Sequence, residues 1–305
     1  MISDRSHREL FDQAARHGLV LDETSITLNS SGLDFLVAFA RDGSGAKWVL
    51  RLPRRPDALE GARREQHVLA LIAEQLPVQV PRWEIFTEEM IAYRQLDGHP
   101  AATIDMKAKA YVWRIDEKNV PAAFERTLAR TVAALHGVNP DKAVAAGLRV
   151  IAPEQLRRDM HDRMQRVRAA FDVNSQLWQR WQDWLTNDAL WPRHVALVHG
   201  DLHAGHILID DSASVTGIID WTEARVGDPA IDFAGYRTIF GDDALKRLIS
   251  AYQEAGGRTW PGLFEHTVAL CDADGVDIAE FAMSSGLEEY HQMARNRLAG
   301  LQEMS

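Results

Sequence analysis

The sequence predicts an α+β protein of two lobes: a small antiparallel sheet with one inserted helix over residues 1–96, and a larger, mainly helical lobe over 97–305. Three observations lead there. Apolar residues alternate at period two in the first third of the chain, as half-buried strands require, with turn-forming residues between the runs. Beyond residue 97 the apolar spacing becomes three and four, the period of amphipathic helices, broken by two short apolar runs. Asp97-Gly98 falls where the pattern changes. So tight a junction predicts closely apposed lobes, with the cleft between them as the expected place for a ligand.

The elements follow in order. Arg5 to His17 carries Leu10, Ala14 and Ala15 at helical spacing and stops at Gly18, a residue suited to the C′ position. Phe35, Val37 and Phe39 then alternate with Leu36, Ala38 and Ala40, and Trp48, Leu50 and Leu52 alternate again after the turn Asp42 to Gly45, which makes a hairpin. A helix beginning near Leu59 presents Leu69, Ile72 and Leu76 on one face and ends at Pro77. Two short strands, Arg82 to Phe86 and Met90 to Leu96, complete the first lobe. In the second, Leu128, Val132 and Leu135 mark one helix, Leu156 to Phe171 another, and Trp178, Trp181 and Trp184 the buried face of a third. Val195 to Val198 and Val215 to Ile219 interrupt these as strands, and helices resume from Pro229. Strands first and helices later are the order of an α+β fold.

Composition narrows the class. Of 305 residues 46% are hydrophobic and 26% charged, which excludes wholesale disorder. The single cysteine, Cys271, excludes an intrachain disulfide framework and a cysteine-based zinc site. No apolar run approaches the roughly 18 residues of a membrane span, and MISDRSHRELFD lacks the plan of a signal peptide, so a cytoplasmic protein is expected. Nothing has the repeat of a coiled-coil seam, and a monomer is expected. Lys and Arg number 34 against 44 Asp and Glu, a formal charge of −10. That balance argues against a nucleic-acid partner; it suits a cationic small molecule, or serves solubility alone.

The densest polar cluster lies at the ends of the two late strands. The first runs into HGDLHAGH, His199 to His206, and the second, VTGIID, ends at Asp220 with Trp221 and Glu223 behind it. An acid just after an apolar run sits at a strand mouth and faces a cleft with a partly desolvated carboxylate. Two of them, Asp201 and Asp220, have the makings of a base and a metal ligand, where a single one would read as a turn residue. Alternation in WVLRLP puts Trp48, Leu50 and Leu52 on one face, so Arg51 points to the other, toward the cleft or toward solvent.

These segments resemble a known family. HGDLHAGHILID followed by GIIDWTEARVGDPAIDFAGY is similar to the catalytic segment of the aminoglycoside-phosphotransferase-like kinases, and specifically of the macrolide 2′-phosphotransferases. The similarity continues through NSSGLDF, WVLRLPRR, REQHVLALI and YQEAGGRTWP, nearly the whole chain. The resemblance implies a protein-kinase-like fold and a phosphotransferase that uses Mg²⁺ and GTP, with ATP as a tolerated donor. The acceptor it implies is the 2′-hydroxyl of the desosamine sugar of an erythromycin-like macrolide, so that the activity confers resistance. It makes Asp201 the base and Asp220 the metal ligand. His206 stands where most of the superfamily carries a metal-binding Asn. Since Mg²⁺ prefers oxygen, His206 either ligates a metal itself, tolerating Mn²⁺, or hydrogen-bonds Asp201 and a metal-bound water. Arg51 occupies the place of the phosphate-holding Lys, with Glu65 as its helix partner, and Arg is no neutral replacement for Lys.

The same resemblance assigns Ser30, Ser31 and Gly32 to a phosphate-covering turn, the backbone near Arg94 and Leu96 to the purine edge, and Tyr93 to the flank of its ring. Glu223, Tyr236, Phe281 and Tyr290 are the candidate acceptor pocket, although helical spacing alone would also produce those aromatics as core. His199 and Asp232 support the catalytic loop, and His203 is assigned with them as an organising residue. Two rivals stand beside this expectation. One keeps the chemistry with an aminoglycoside, homoserine or choline as acceptor; the other is a non-catalytic nucleotide-binding relative, motivated by Arg51 and His206.

Overall fold

The computed structural model describes residues 7–29, 34–105 and 110–300. Ser30, Ser31 and Gly32 therefore lie outside the described residues. The first helix, α1 (His7–Arg16), is followed by Gly18 at φ +81°, a conformation that strains any side chain. Then come β1 (Thr27–Asn29), β2 (Phe35–Arg41), β3 (Lys47–Pro53), α2 (Ala58–Ile72), β4 (Trp83–Phe86) and β5 (Ile91–Arg94). The five strands form one antiparallel sheet in the order β1-β2-β3-β5-β4. Period two sorts the middle strand: Trp48, Leu50 and Leu52 pack with Leu10 and Ala14 of α1. Val49, from the opposite face, joins Phe35, Ile91 and Tyr93 against Ala58 and Ala62 of α2. Each buried leucine stabilises the layer by about 1.5–3 kcal/mol. Arg51 alternates with Leu50 and Leu52, so that packing drives its side chain to the α2 side.

The chain leaves the sheet at Asp97-Gly98, with Gly98 at φ +96°. A Cβ there would collide with Thr216 Oγ1 and the Ile209 carbonyl, so the crossing needs glycine. Gln79 locks it: its side-chain oxygen accepts the Asp97 N–H at 2.9 Å while its amide donates to Asp97 Oδ2 at 2.9 Å. Next are β6 (His99–Pro100), β7 (Ala102–Asp105), β8 (Ala110–Trp113), α3 (Ala122–His136), α4 (Pro140–Ala145), α5 (Pro153–Ala170) and α6 (Ser175–Thr186). The strands β9 (Ala196–Val198), β10 (Ile207–Ile209), β11 (Val215–Ile218) and β12 (Arg225–Gly227) precede α7 (Ile231–Glu254), α8 (Leu263–Asp272), α9 (Asp274–Ser285) and α10 (Glu288–Leu298). Two apolar cores result. The larger gathers α2, α3, α7 and the late strands; the second gathers α5, α6, α9 and α10 around Trp181 and Trp184.

The strand and helix order agrees with the predicted α+β arrangement, and the structure corrects its second half. Five strands, β6, β7, β8, β10 and β12, stand where helix or loop was expected. Each is only two to four residues long, too short for an alternation to register. β10 pairs both β11 and β6, while β12 pairs β9, so the two functional loops leave neighbouring small sheets.

Candidate active site

The catalytic loop begins where β9 ends. Gly200 turns it at φ +86°, and a Cβ there would lie 2.5 Å from the Glu223 carbonyl. Asp232, the second residue of α7 and almost wholly buried, clamps this turn: Oδ2 accepts the His199 N–H and Oδ1 the Gly200 N–H, both at 2.9 Å. His136 Nε2 completes its shell at 3.1 Å. Burial pushes the Asp232 carboxyl up, but the hydrogen bond and charge of His136 and the loop N–H groups overcome this and hold it below the ordinary carboxylate value. The helix N-terminus adds favourable field for a negative charge.

His199 ties the two loops together. Its Nδ1 accepts the Asp201 N–H at 3.2 Å, so the remaining ring proton is on Nε2, which donates to the Ile219 carbonyl at 3.0 Å. The ring is fully buried, and burial keeps its pKa below the ordinary histidine value, with the Asp232 charge opposing. His199 and Asp232 thus touch loop backbone on both sides of the cluster.

At the mouth, Asp201 and Asp220 are about half exposed, and His206 stands between them. Its Nδ1 is 3.7 Å from Asp201 Oδ2 and its Nε2 is 3.6 Å from Asp220 Oδ2. Nδ1–H donates to the Asp201 carbonyl at 2.9 Å, which leaves the neutral ring with its lone pair on Nε2, facing Asp220. Asp220 itself is left-handed, φ +64°, with its Oδ1 accepting the Thr222 hydroxyl at 2.8 Å. Burial would raise the Asp220 carboxyl; the positive charge of His206 in its protonated form, that of Arg51 and the Thr222 hydrogen bond outweigh it and hold the pKa down.

Across the cleft, Arg51 Nη1 lies 2.8 Å from both carboxylate oxygens of Glu65. Phe35 covers the guanidinium at 4.4 Å, and the Trp221 N–H reaches Glu65 Oε1 at 3.4 Å. Glu65 is fully buried and Arg51 nearly so. Burial lifts the Glu65 carboxyl, Arg51 opposes it and Asp220 adds to it; burial also works against the Arg51 charge, which Glu65, Tyr93 and Asp220 nevertheless reinforce. The two partners move in opposite senses for the pair. The double 2.8 Å contact and a guanidinium that keeps its proton favour an ionised bridge.

Ligand atoms of Asp201, His203 and His206 also fall within 4.8 Å of one another, as a metal site would have them. The backbone decides against that set. His203 Nδ1 accepts the Gly205 N–H at 3.0 Å, so its Nε2 carries the proton and offers no lone pair. Among the described residues, His206 Nε2 and the Asp220 carboxylate, 3.6 Å apart, form a donor pair for a cation beside the Asp201 carboxylate. A mixed nitrogen and oxygen pair fits a divalent ion whose other ligands are phosphate and water oxygens, and it is less selective for Mg²⁺ than two oxygens would be.

The remaining predicted residues separate. Tyr93 is 6% exposed within the apolar layer under α2, so its ring is core and does not flank an open site. The Arg94 side chain lies on the other face, over Trp48 at 3.9 Å and paired with Asp42 and Glu84. Leu96 is half-buried, its Cδ1 over Gly217. Glu223 is exposed beside the Gly200 turn. Tyr236 is buried, its hydroxyl donating to Glu125 at 2.8 Å, and helps line a cavity of ≈ 10 Å³ beneath the loop, far too small for an acceptor. Phe281 and Tyr290 meet each other at 4.5 Å on α9 and α10; Tyr290 packs against the second core, while Phe281 is 36% exposed. For Tyr236 the helical spacing that nominated the residue reflects core packing.

One element escaped the sequence reading. The β7–β8 hairpin is anchored on the catalytic loop, the Ala102 N–H donating to the Ala204 carbonyl at 3.2 Å and the Ala101 N–H to Ile207 at 2.8 Å. Its outer part exposes Ile104, Tyr111 and Val112; Tyr111 packs on Trp113 at 5.1 Å, and Trp113 in turn meets Phe240 at 5.5 Å. Partial burial raises the Tyr111 phenol pKa, and the Asp201 charge raises it further, so this apolar surface lies within electrostatic reach of Asp201. Alternation of Ala102 with Ile104 and of Tyr111 with Trp113 was the available signal.

A buried-pair cleft facing two strand-end carboxylates defines a phosphotransferase of the kinase-like class, and comparison with known proteins agrees. The description "Phosphotransferase enzyme family" matches residues 25–266, so the chain belongs to that family. It is 44% identical over 290 residues, 95% of each chain, to the uncharacterised protein YcbJ of Bacillus subtilis. Among solved structures it is similar to the macrolide 2′-phosphotransferase MphH of Brachybacterium faecium, with TM-score 0.91 and 39% identity over 97% of this chain and 98% of that one. A macrolide 2′-phosphotransferase type I matches with TM-score 0.88 and 39% identity over 98% and 99%. The aminoglycoside kinase solved with GDP and kanamycin, 17% identical at TM-score 0.77, shares the fold. Among the described residues no helix is long and apolar enough to cross a membrane.

Proposed function

We propose that the protein transfers the γ-phosphoryl group of GTP to the 2′-hydroxyl of a macrolide's desosamine, in the cytoplasm, and so confers resistance. The observation that carries the phosphotransfer reading is the bridge Asp201–His206–Asp220, with imidazole contacts of 3.7 and 3.6 Å to the two carboxylates. In the reaction Asp201 orients the acceptor hydroxyl and takes its proton as the new O–P bond forms and the bond from the γ-phosphorus to the β,γ-bridging oxygen breaks. Asp220 and His206 would hold a Mg²⁺, which would supply neutralisation of the triphosphate charge. Arg51, kept in place by Glu65, faces the same charge from the sheet, and the backbone around Leu96 takes the base. His199 and Asp232 hold the loop so that none of this needs rearrangement.

Two observations favour a macrolide over an aminoglycoside. The surface next to Asp201 carries Ile104, Tyr111 and Val112, which suits an apolar ring better than a polycation. The relatives at 39% identity over nearly the whole length are macrolide kinases. The GTP preference rests on the family resemblance. A steady-state assay of erythromycin with GTP and ATP in parallel, with kanamycin and choline as rival acceptors, tests the assignment. Turnover of erythromycin with GTP exceeding every other pairing is expected. Equal or better turnover of kanamycin or choline would reject the macrolide, and faster reaction with ATP would reject the donor.

A further inference from the structure

We infer that His203 is a positioning residue, one that holds the Asp201 carboxylate in its working orientation through the Nε2–H group. The inference rests on the reading of Asp201 as the base. Two facts fix what His203 can offer. Its Nδ1 accepts the Gly205 N–H at 3.0 Å, which leaves the proton on Nε2, and that nitrogen is 4.0 Å from Asp201 Oδ2. His206 Nδ1 approaches the same oxygen at 3.7 Å, but its N–H is already committed to the Asp201 carbonyl at 2.9 Å. Of the two imidazoles facing Oδ2, only His203 has a free N–H to give it.

The ring is held for this purpose. It packs against the His206 ring, tilted by 41° with centroids 3.9 Å apart. Two glycines keep space for it: a Cβ on Gly205 would lie 2.8 Å from His203 Cε1, and one on Gly235 would lie 2.6 Å from the Leu202 carbonyl and 3.4 Å from His203 Cβ. A 4.0 Å separation is longer than a hydrogen bond, yet a small turn of the half-exposed Asp201 carboxylate closes it once an acceptor hydroxyl engages the other oxygen. Oδ2 is then tied to His203, Oδ1 faces the acceptor, and the carboxylate cannot swing out of line. The same tautomer argues against a metal-ligand role for this ring.

The test uses the full chain and three substitutions. His203→Gln places a terminal amide donor near the reach of Nε2, His203→Asn stops one methylene short, and His203→Leu has no donor. With erythromycin, GTP and Mg²⁺, Leu and Asn should lower kcat roughly ten- to a hundredfold. Gln should recover it to within a few-fold, with the KM for GTP and the Mg²⁺ concentration for half activity unchanged. If Gln is as poor as Leu, or if all three equal the parent, the inference fails. A shifted Mg²⁺ or Mn²⁺ requirement in His203→Leu would overturn it in favour of a ligand role. Melting curves accompany the kinetics, and the Gln and Asn pair decides alone if Leu does not fold. Asp201→Asn run in parallel separates the two failures: if it keeps full turnover the base reading is at fault, and if it abolishes turnover while His203→Leu does not, only the His203 inference is.

Discussion

At the scale of residues the site is built from buried polar groups whose partners are fully assigned, and this makes its pH behaviour predictable. The Asp232 pKa is depressed in the folded chain, so the stability it contributes is present above the unfolded carboxylate pKa of about 3.9. That stability is lost as pH falls through the still lower folded value. Asp232→Asn should cost about 3 kcal/mol at neutral pH, because one amide oxygen cannot serve both the His199 and Gly200 N–H groups. It should also flatten the acid limb: thermal unfolding measured from pH 6 to pH 3 should show the parent losing more of its melting temperature than the variant. Equal slopes would deny Asp232 its charge in the fold. Asp201, Asp220 and the direction of Arg51 were all legible in the sequence, because an acid after an apolar run and an odd position in an alternating strand have one geometric meaning each. The shell around them was less so. That His199 uses Nδ1 toward one loop and Nε2 toward the other depends on two backbone groups, the Asp201 N–H and the Ile219 carbonyl, that are far apart in sequence. No spacing encodes that.

At the scale of elements, short strands were the least readable. The first hairpin, seven residues a strand, shows its alternation plainly. The second hairpin has four residues a strand and mixes alanine into both, too little alternation to register, although its exposed surface lies within electrostatic reach of Asp201. Tyr236 shows the opposite difficulty: period 3.6 reports that a face is apolar and is silent on whether a ligand or another helix covers it. The hairpin carries its own prediction. Tyr111→Ala removes exposed aromatic surface beside Asp201 and should raise the KM for erythromycin up to about tenfold, the loss of roughly 1–1.5 kcal/mol of apolar contact, with the KM for GTP unchanged. Two-substrate kinetics on the variant checks this. An unchanged acceptor KM would move the acceptor off the hairpin.

At the scale of the whole molecule, the sheet layer and the helical region meet through a few specific locks. Gln79 bonds to Asp97 on one side and its backbone N–H donates to the Thr216 carbonyl at 2.8 Å on the other, while Glu65 reaches from α2 to the Trp221 N–H. Through them the Arg51–Glu65 pair and the strand-end carboxylates keep one register across the cleft. The most direct test of that arrangement is the turnover of Asp201→Asn. The change is isosteric and the side chain is half exposed, so the melting temperature and GTP binding should match the parent. If Asp201 takes the acceptor's proton, kcat for erythromycin should fall by roughly two to four orders of magnitude. Turnover within a few-fold of the parent, in a variant that still folds and binds GTP, would contradict the account.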